Sequence, residues 1–181
     1  QAFDHAATGY DAAADVQREM ADRLAAYLLQ ASLDREPAAL LDAGCGTGYG
    51  ARALAQRWPR TELVLLDFAP AMLAVARTRH PGARMICADI EALPFGDGGF
   101  GGYWSSLTWQ WNDPRRCLAE AARVLEPGGW LAVATLGADN FPELRHAFAG
   151  VDGYSHVLAV PPPEELLAEC RAAGGSVRVW G

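Results

Sequence analysis

The sequence predicts an α/β fold built on a mostly parallel, doubly wound sheet with helices on both faces. Three observations carry that expectation. Short apolar runs alternate with segments of helical periodicity, as βαβ crossovers require. A glycine-rich turn follows the first of those runs. Acidic residues stand at or just beyond the ends of the first three runs, the edge of such a sheet where ligands bind.

Val16, Met20, Leu24, Tyr27 and Leu28 recur at helical spacing, so Asp15 to Gln30 reads as an amphipathic helix. Ala39 to Asp42 is a strand entering a tight turn. Arg52 to Trp58 is a helix stopped by Pro59, and Leu63 to Leu66 a buried strand ending at Asp67. Ala71 to Arg79 is helical, with Pro70 in the first turn, where its missing N–H costs nothing. Arg84 to Ala88 and Gly102 to Ser105 are the third and fourth strands. Pro114 to Leu125 is a helix closed by Pro127-Gly128-Gly129, Leu131 to Thr135 the fifth strand, and Ser176 to Trp180 a sixth with an unpaired edge.

With 181 residues, 51% of them hydrophobic, the chain can bury one core of this kind. All fifteen basic residues are arginine, and the net charge of −7 opposes a broad nucleic-acid-binding face. Arg115, Arg116 and Arg123 form the densest basic cluster, which a solvated helix face explains equally well. No apolar run approaches the ~20 residues of a membrane span, and the first residues show no basic-then-apolar leader, so the expected address is the cytoplasm. Cys45, Cys87, Cys117 and Cys170 form no CxxC or CxxH pair, so neither a zinc site nor a disulfide framework is expected.

The chemistry concentrates in Leu41-Asp42-Ala43-Gly44-Cys45-Gly46-Thr47-Gly48. Glycines after a strand let the backbone approach a ligand with no Cβ in the way, and the next helix points its amino end at the same place. The loop alone leaves a dinucleotide open, because Gly46-Thr47-Gly48-Tyr49-Gly50-Ala51 fits GxGxxA. Asp67, roughly 20 residues further on, suits the two hydroxyls of a ribose; capping the following helix is the competing reading. Asp89 separates the possibilities. It lies in Cys87-Ala88-Asp89-Ile90-Glu91-Ala92-Leu93-Pro94-Phe95, where a carboxylate can accept the exocyclic amine of adenine and Ile90 can cover the ring.

In series, Asp42, the glycines, Asp67, Asp89 and Leu125-Glu126-Pro127-Gly128-Gly129-Trp130 resemble the ordered motifs of class I S-adenosylmethionine methyltransferases, whose fold is Rossmann-like. Phe3-Asp4-His5-Ala6-Ala7 with Tyr10-Asp11 and Gln17-Arg18 resembles, more narrowly, the amino end of the malonyl-acyl-carrier-protein O-methyltransferase family of biotin synthesis. So do Ser105 to Trp111 and Thr135-Leu136-Gly137-Ala138-Asp139 with Glu143-Leu144-Arg145 and Ala147-Phe148. Against that family the chain stops short of a final antiparallel strand, so the C-terminal strand is expected to be missing. The organisation implied is one domain, 1–181: a helical lid or cap over 1–33, a cofactor-binding core over 38–136, and acceptor-side helices with a terminal strand over 137–181.

The resemblance implies S-adenosylmethionine as cofactor, held by Asp42, Gly44, Cys45, Gly46, Asp67, Phe68, Met72, Asp89, Ile90, Ser105 and Gln17, with no metal. It implies methyl transfer to the free carboxylate of a malonyl group on acyl carrier protein, the expected partner. A carboxylate is already anionic at neutral pH, so neither a general base nor a catalytic triad is expected. Arg145 is the candidate to hold that carboxylate and Tyr10 to close over the donor; an exposed helix arginine and ordinary helix packing are the competing readings. For Gln17 the alternative is a solvated side chain. Trp109 and Trp111 are candidates to line the acyl pocket, with core packing of equal weight, and His146 and His156 read as surface residues. A methyltransferase for another small carboxylic acid such as aconitate, an assembly factor on the same scaffold and an NAD-dependent oxidoreductase stay open.

Overall fold

The computed structural model describes residues 14–31, 33, 35–137, 163–172 and 175–179. The chain divides into two compact units, 1–134 and 135–181. Among the described residues the first carries helix α1 (Asp15–Gln30), then β1 (Ala39–Ala43), α2 (Ala51–Arg57), β2 (Glu62–Asp67), α3 (Pro70–Arg79), β3 (Arg84–Cys87) and β4 (Phe100–Ser106). A 3-10 turn (Trp109–Trp111), α4 (Pro114–Val124) and β5 (Leu125–Ala134) complete it. In the second unit the described regular element is helix α5 (Pro163–Ala172). Residues 175–179 form no strand, so the sixth strand expected at 176–180 is not found among the described residues.

The sheet order is β3-β2-β1-β4-β5, and every neighbouring pair is parallel. Such an order reverses at β1. The chain leaves β1 toward β2 on one side and later returns to β4 on the other, so the loops after β1 and β4 part and open a crevice at their carboxyl ends. Leu40, Leu41, Leu65 and Leu66 are fully buried in the central strands, as expected where helices cover both faces. One cluster joins Leu24 and Leu28 of α1 to Leu40, Leu54, Trp58 and Trp104; another joins Leu65 to Leu73 and Ala76 of α3. Each fully buried leucine contributes about 1.5–3 kcal/mol.

Two expectations need correction. The buried stripe of α1 is Ala21, Leu24 and Leu28, and Val16 is 65% exposed. At about 100° per residue, Val16 stands about 80° around the helix from Leu24, off the stripe that Ala21 continues. Pro127-Gly128-Gly129 is not a connector ahead of a short fifth strand. β5 starts at Leu125, pairing with Phe100, and the register then jumps so that Trp130 faces Gly102. Three extra residues bulge out of the ladder there, with Gly128 at φ +83°. Gly102 makes room on the opposite strand, because a Cβ on it would lie 2.4 Å from the Trp130 indole. That indole stacks on Trp58 at 5.3 Å between ring centroids.

Candidate functional site

The glycine loop turns out of β1 on two left-handed residues, Gly44 (φ +78°) and Gly46 (φ +54°). At Gly44 space is a second constraint, because a Cβ would lie 2.2 Å from Thr108 Oγ1 in the loop after β4. Both the Gly44 and Cys45 N–H groups donate to the Leu66 carbonyl at 2.8 and 2.9 Å, tying the turn to β2. Asp67 then holds the loop from the side. Its Oδ2 accepts the Gly46 N–H and its Oδ1 the Ala69 N–H, each at 2.8 Å. Behind the loop, the end of α3 is the support: Arg79 donates to Thr47 Oγ1 at 2.8 Å and the His80 imidazole to the Gly48 carbonyl at 2.8 Å.

A cavity of about 450 Å³ lies in front of this loop, within the range usual for small-molecule sites. Of the proposed donor-side residues, Asp42, Gly44, Cys45, Gly46, Asp67, Phe68, Met72, Asp89, Ile90 and Gln17 all line it. Asp42 has the most unusual surroundings. It is 2% exposed, and its Oδ2 has no hydrogen-bond partner among the described residues. Burial, with the Asp67 charge adding to it, pushes its carboxyl up to about 8. The Cys45 thiol is likewise raised by burial and by both aspartates, which leaves it un-ionised and suits packing rather than nucleophilic chemistry.

Ser105 is the exception. Its hydroxyl is fully buried and donates to the Ala43 carbonyl at 2.7 Å, whereas Ser106, the next residue, lines the cavity. Successive strand residues face opposite sides, and a one-residue error moves a side chain from site to core. Trp109 and Trp111 separate for a related reason. In a 3-10 turn, positions two apart stand about 120° from each other. Trp109 is buried edge-on against Tyr103, with centroids 6.3 Å apart, and does not line the cavity; Trp111 does, and is 57% exposed. Trp109 is therefore a core residue. Tyr10, Arg145, His146 and His156 lie outside the described residues.

From Ser105 to Trp111 the sequence offered a family resemblance but no site role for the residues between Ser105 and Trp109. Ser106, Leu107, Thr108 and Asn112 all line the cavity, and Leu107 has φ +53°, a left-handed conformation costly for a branched, bulky residue. Nothing in a Ser-Leu-Thr string announces that. Sequence reasoning also missed Thr47 and Tyr49, and it gave Arg18 no role at the cavity. Among the described residues Arg18 is the one arginine lining the cavity, and its guanidinium bonds to Asp15. Tyr49 donates to Asp22 of α1 at 2.9 Å, connecting the glycine loop to the helix that carries Gln17 and Arg18. Among the described residues no cluster of three metal-ligating side chains exists, and no helix is long and apolar enough to cross a membrane.

A five-stranded parallel sheet with a glycine loop and acidic strand ends around one cavity defines a Rossmann-like nucleotide-binding scaffold. Comparison with known proteins narrows this. The family described as "Methyltransferase domain" matches residues 41–133. The malonyl-[acyl-carrier protein] O-methyltransferase of Laribacter hongkongensis is 47% identical over 86% of this chain and 56% of its own. That of Halorhodospira halophila is 35% identical over 97% of this chain and 70% of its own. A chain in the complex between the Haloferax volcanii Trm112 methyltransferase activator and a methyltransferase superposes with a TM-score of 0.75, at 25% identity over 95% of this chain and 75% of that one. The chain belongs to the methyltransferase-domain family, and within it to the malonyl-[acyl-carrier protein] O-methyltransferases. It spans 56% to 64% of the length of three relatives that are 44% to 47% identical over the aligned residues.

Proposed function

We propose that this chain transfers the methyl group of S-adenosylmethionine to the free carboxylate of a malonyl thioester carried on acyl carrier protein, an early step of biotin synthesis. The observation that carries the donor half is Asp42: a buried carboxyl whose Oδ2 has no hydrogen-bond partner among the described residues, raised by desolvation, at the wall of a cavity beside a glycine cradle. Such a group fits a ligand with a positively charged end, which would supply the missing counter-charge. Asp67, whose Oδ2 accepts the Gly46 N–H and Oδ1 the Ala69 N–H, lines the same cavity and is the proposed acceptor for a ribose hydroxyl. Asp89 stands at the cavity where an adenine amine can donate to it. Bound there, S-adenosylmethionine would supply a methyl group already activated on a sulfonium centre.

The protein's own contribution is then placement. The acceptor carboxylate needs no deprotonation, so the chain must orient it, shed part of its water and keep bulk solvent out. Arg18, at the cavity wall, suits a carboxylate, and Gln17 beside it is proposed to reach the donor; Arg145 remains the proposed anchor of the malonyl group and Tyr10 the residue proposed to close over the donor. The exposure of Trp111 at the cavity supports a contact with the acyl arm. The acceptor and its carrier rest on the names of the relatives.

The test is a direct competition of acceptors. Methyl transfer from S-adenosylmethionine should be faster to malonyl-acyl carrier protein than to free malonyl-CoA, and absent with aconitate. Faster transfer to aconitate would overturn the acceptor assignment, and binding of NAD in place of S-adenosylhomocysteine would overturn the donor assignment.

A further inference from the structure

The crossover from β3 to β4 differs from the others. Residues 88–99 contain no helix, yet they carry Asp89 and Ile90 into the cavity. A long stretch without regular structure has no internal ladder to hold a side chain in place. What holds this one is α4. Arg123 donates from Nη2 to the Leu93 carbonyl at 3.1 Å and from Nη1 to the Phe95 carbonyl at 2.7 Å and to Asp97 at 3.0 Å. Its Nε and Nη2 each bond Glu120 at 2.7 Å, and Glu120 in turn accepts the Leu93 N–H at 2.6 Å. Both backbone groups of Leu93 are thus fixed by one ion pair on one helix face. Nearer the ligand, Glu91 accepts the Asp113 N–H at the start of α4 at 2.7 Å, and its own N–H donates to Asp89 Oδ1 at 2.9 Å.

We propose that Arg123, acting with Glu120, is a positioning residue for base recognition: it sets where Asp89 and Ile90 meet the adenine of the donor. The inference rests on the donor reading given above. Arg123 commits all five N–H donors to this clamp, two to Glu120 and three to the loop it holds. Only a planar fork reaches two carbonyls and two carboxylates at once; a lysine offers three donors on one atom and must abandon part of the set. Arg123 also keeps the Glu120 carboxyl below the usual carboxylate range, so the clamp stays ionised through the neutral range. Ile90, 4% exposed, and Leu93, 5% exposed, are seated by the same loop course, so a shift of Leu93 moves both the apolar cover and the acceptor of the base.

The experiment uses two ligands that differ only at the base, S-adenosylhomocysteine and S-inosylhomocysteine, whose base lacks the exocyclic amine. Calorimetry on the parent chain should show a preference for the adenosine compound. Arg123→Lys should weaken that compound by about tenfold and the inosine compound by less than about threefold, collapsing the preference. A lesion that merely loosened the fold would weaken both alike, and that result would overturn the proposal, as would unchanged affinity for both. In an Asp89→Ala background, where the acceptor of the base is gone, Arg123→Lys should add nothing to base selectivity. If Asp89→Ala keeps the parental preference, Asp89 does not read the base, and the proposal falls with that assignment while the donor site itself stands. Should Arg123→Lys fail to fold, Glu120→Gln, which keeps an acceptor for Leu93 but loses the charge, carries the same expectation at about threefold.

Discussion

The Asp42 carboxyl predicts a pH dependence confined to donor binding. In the ligand-free chain it titrates near 8, because burial and the Asp67 charge both oppose its ionisation. A sulfonium or ammonium placed beside it favours the ionised form, so binding drives a proton off. For a bound carboxyl titrating below pH 6, the apparent dissociation constant carries a factor of 1 + 10^(pKa − pH). That factor is roughly 100 at pH 6 and about 11 at pH 7, so affinity should rise about ninefold across that unit, or ~1.3 kcal/mol. A midpoint one unit lower would still give about fivefold. Above about pH 8 the ligand's own α-amino group begins to lose its charge, so the informative window is pH 6 to 7. Calorimetry in two buffers of different ionisation enthalpy should report close to one proton released at pH 7, and Asp42→Asn should abolish both the release and the slope. An affinity flat from pH 6 to 7, or a slope that survives Asp42→Asn, would refute the reasoning. At saturating donor the rate should stay nearly flat from about pH 6.5 to 8.5, because the acceptor needs no base. Stability has the opposite sign: with the folded carboxyl raised from 3.8 to about 8, the ligand-free fold binds the extra proton and loses stability as pH climbs through that interval.

Three further outcomes are expected, the first two from the geometry of the glycine loop and the third from the proposed acceptor anchor. Asp67→Ala should weaken S-adenosylhomocysteine by roughly 1.5–3 kcal/mol and lower the melting temperature as well, since Gly46 and Ala69 lose their acceptor; calorimetry showing parental affinity would remove the ribose assignment. Gly44→Ala meets both a left-handed φ and the Thr108 side chain, and should cost more than about 2 kcal/mol in chemical denaturation, with Thr108→Ala restoring only part of it. Arg145→Lys should leave donor affinity intact and lower kcat/KM on malonyl-acyl carrier protein by about 100-fold, roughly 2.7 kcal/mol; transfer at the parental rate would make Arg145 a surface residue.

The cavity wall around the glycine loop is legible in the sequence because its geometry is local. Asp42, Gly44, Gly46, Asp67 and Asp89 each sit at or just beyond the end of a parallel strand, and the register of such a sheet brings those ends together once the strands are recognised. Ser105 shows where that reasoning stops. Its place near the end of β4 is readable, but which face the residue takes depends on a parity that a boundary error of one residue reverses. Trp109 and Trp111, alike and close in the chain, invite a single role, and the 3-10 turn gives them opposite ones.

What the sequence alone determined, then, is the order of strands and helices, the glycine turn and the acidic strand ends, since each depends on residues close in the chain. Only the tertiary structure decided the rest. Leu107 takes its left-handed backbone just past the end of β4, where its N–H donates to the Ala134 carbonyl of β5. Asp42 acquires its raised carboxyl from burial beside Asp67, 25 residues away in the chain. Arg123 reads as one more arginine on a solvated helix face, and becomes the hub of residues 91–99 only when α4 is laid beside them. Desolvation, like-charge proximity and hydrogen-bond satisfaction are properties of surroundings assembled from distant segments, and no local pattern encodes them.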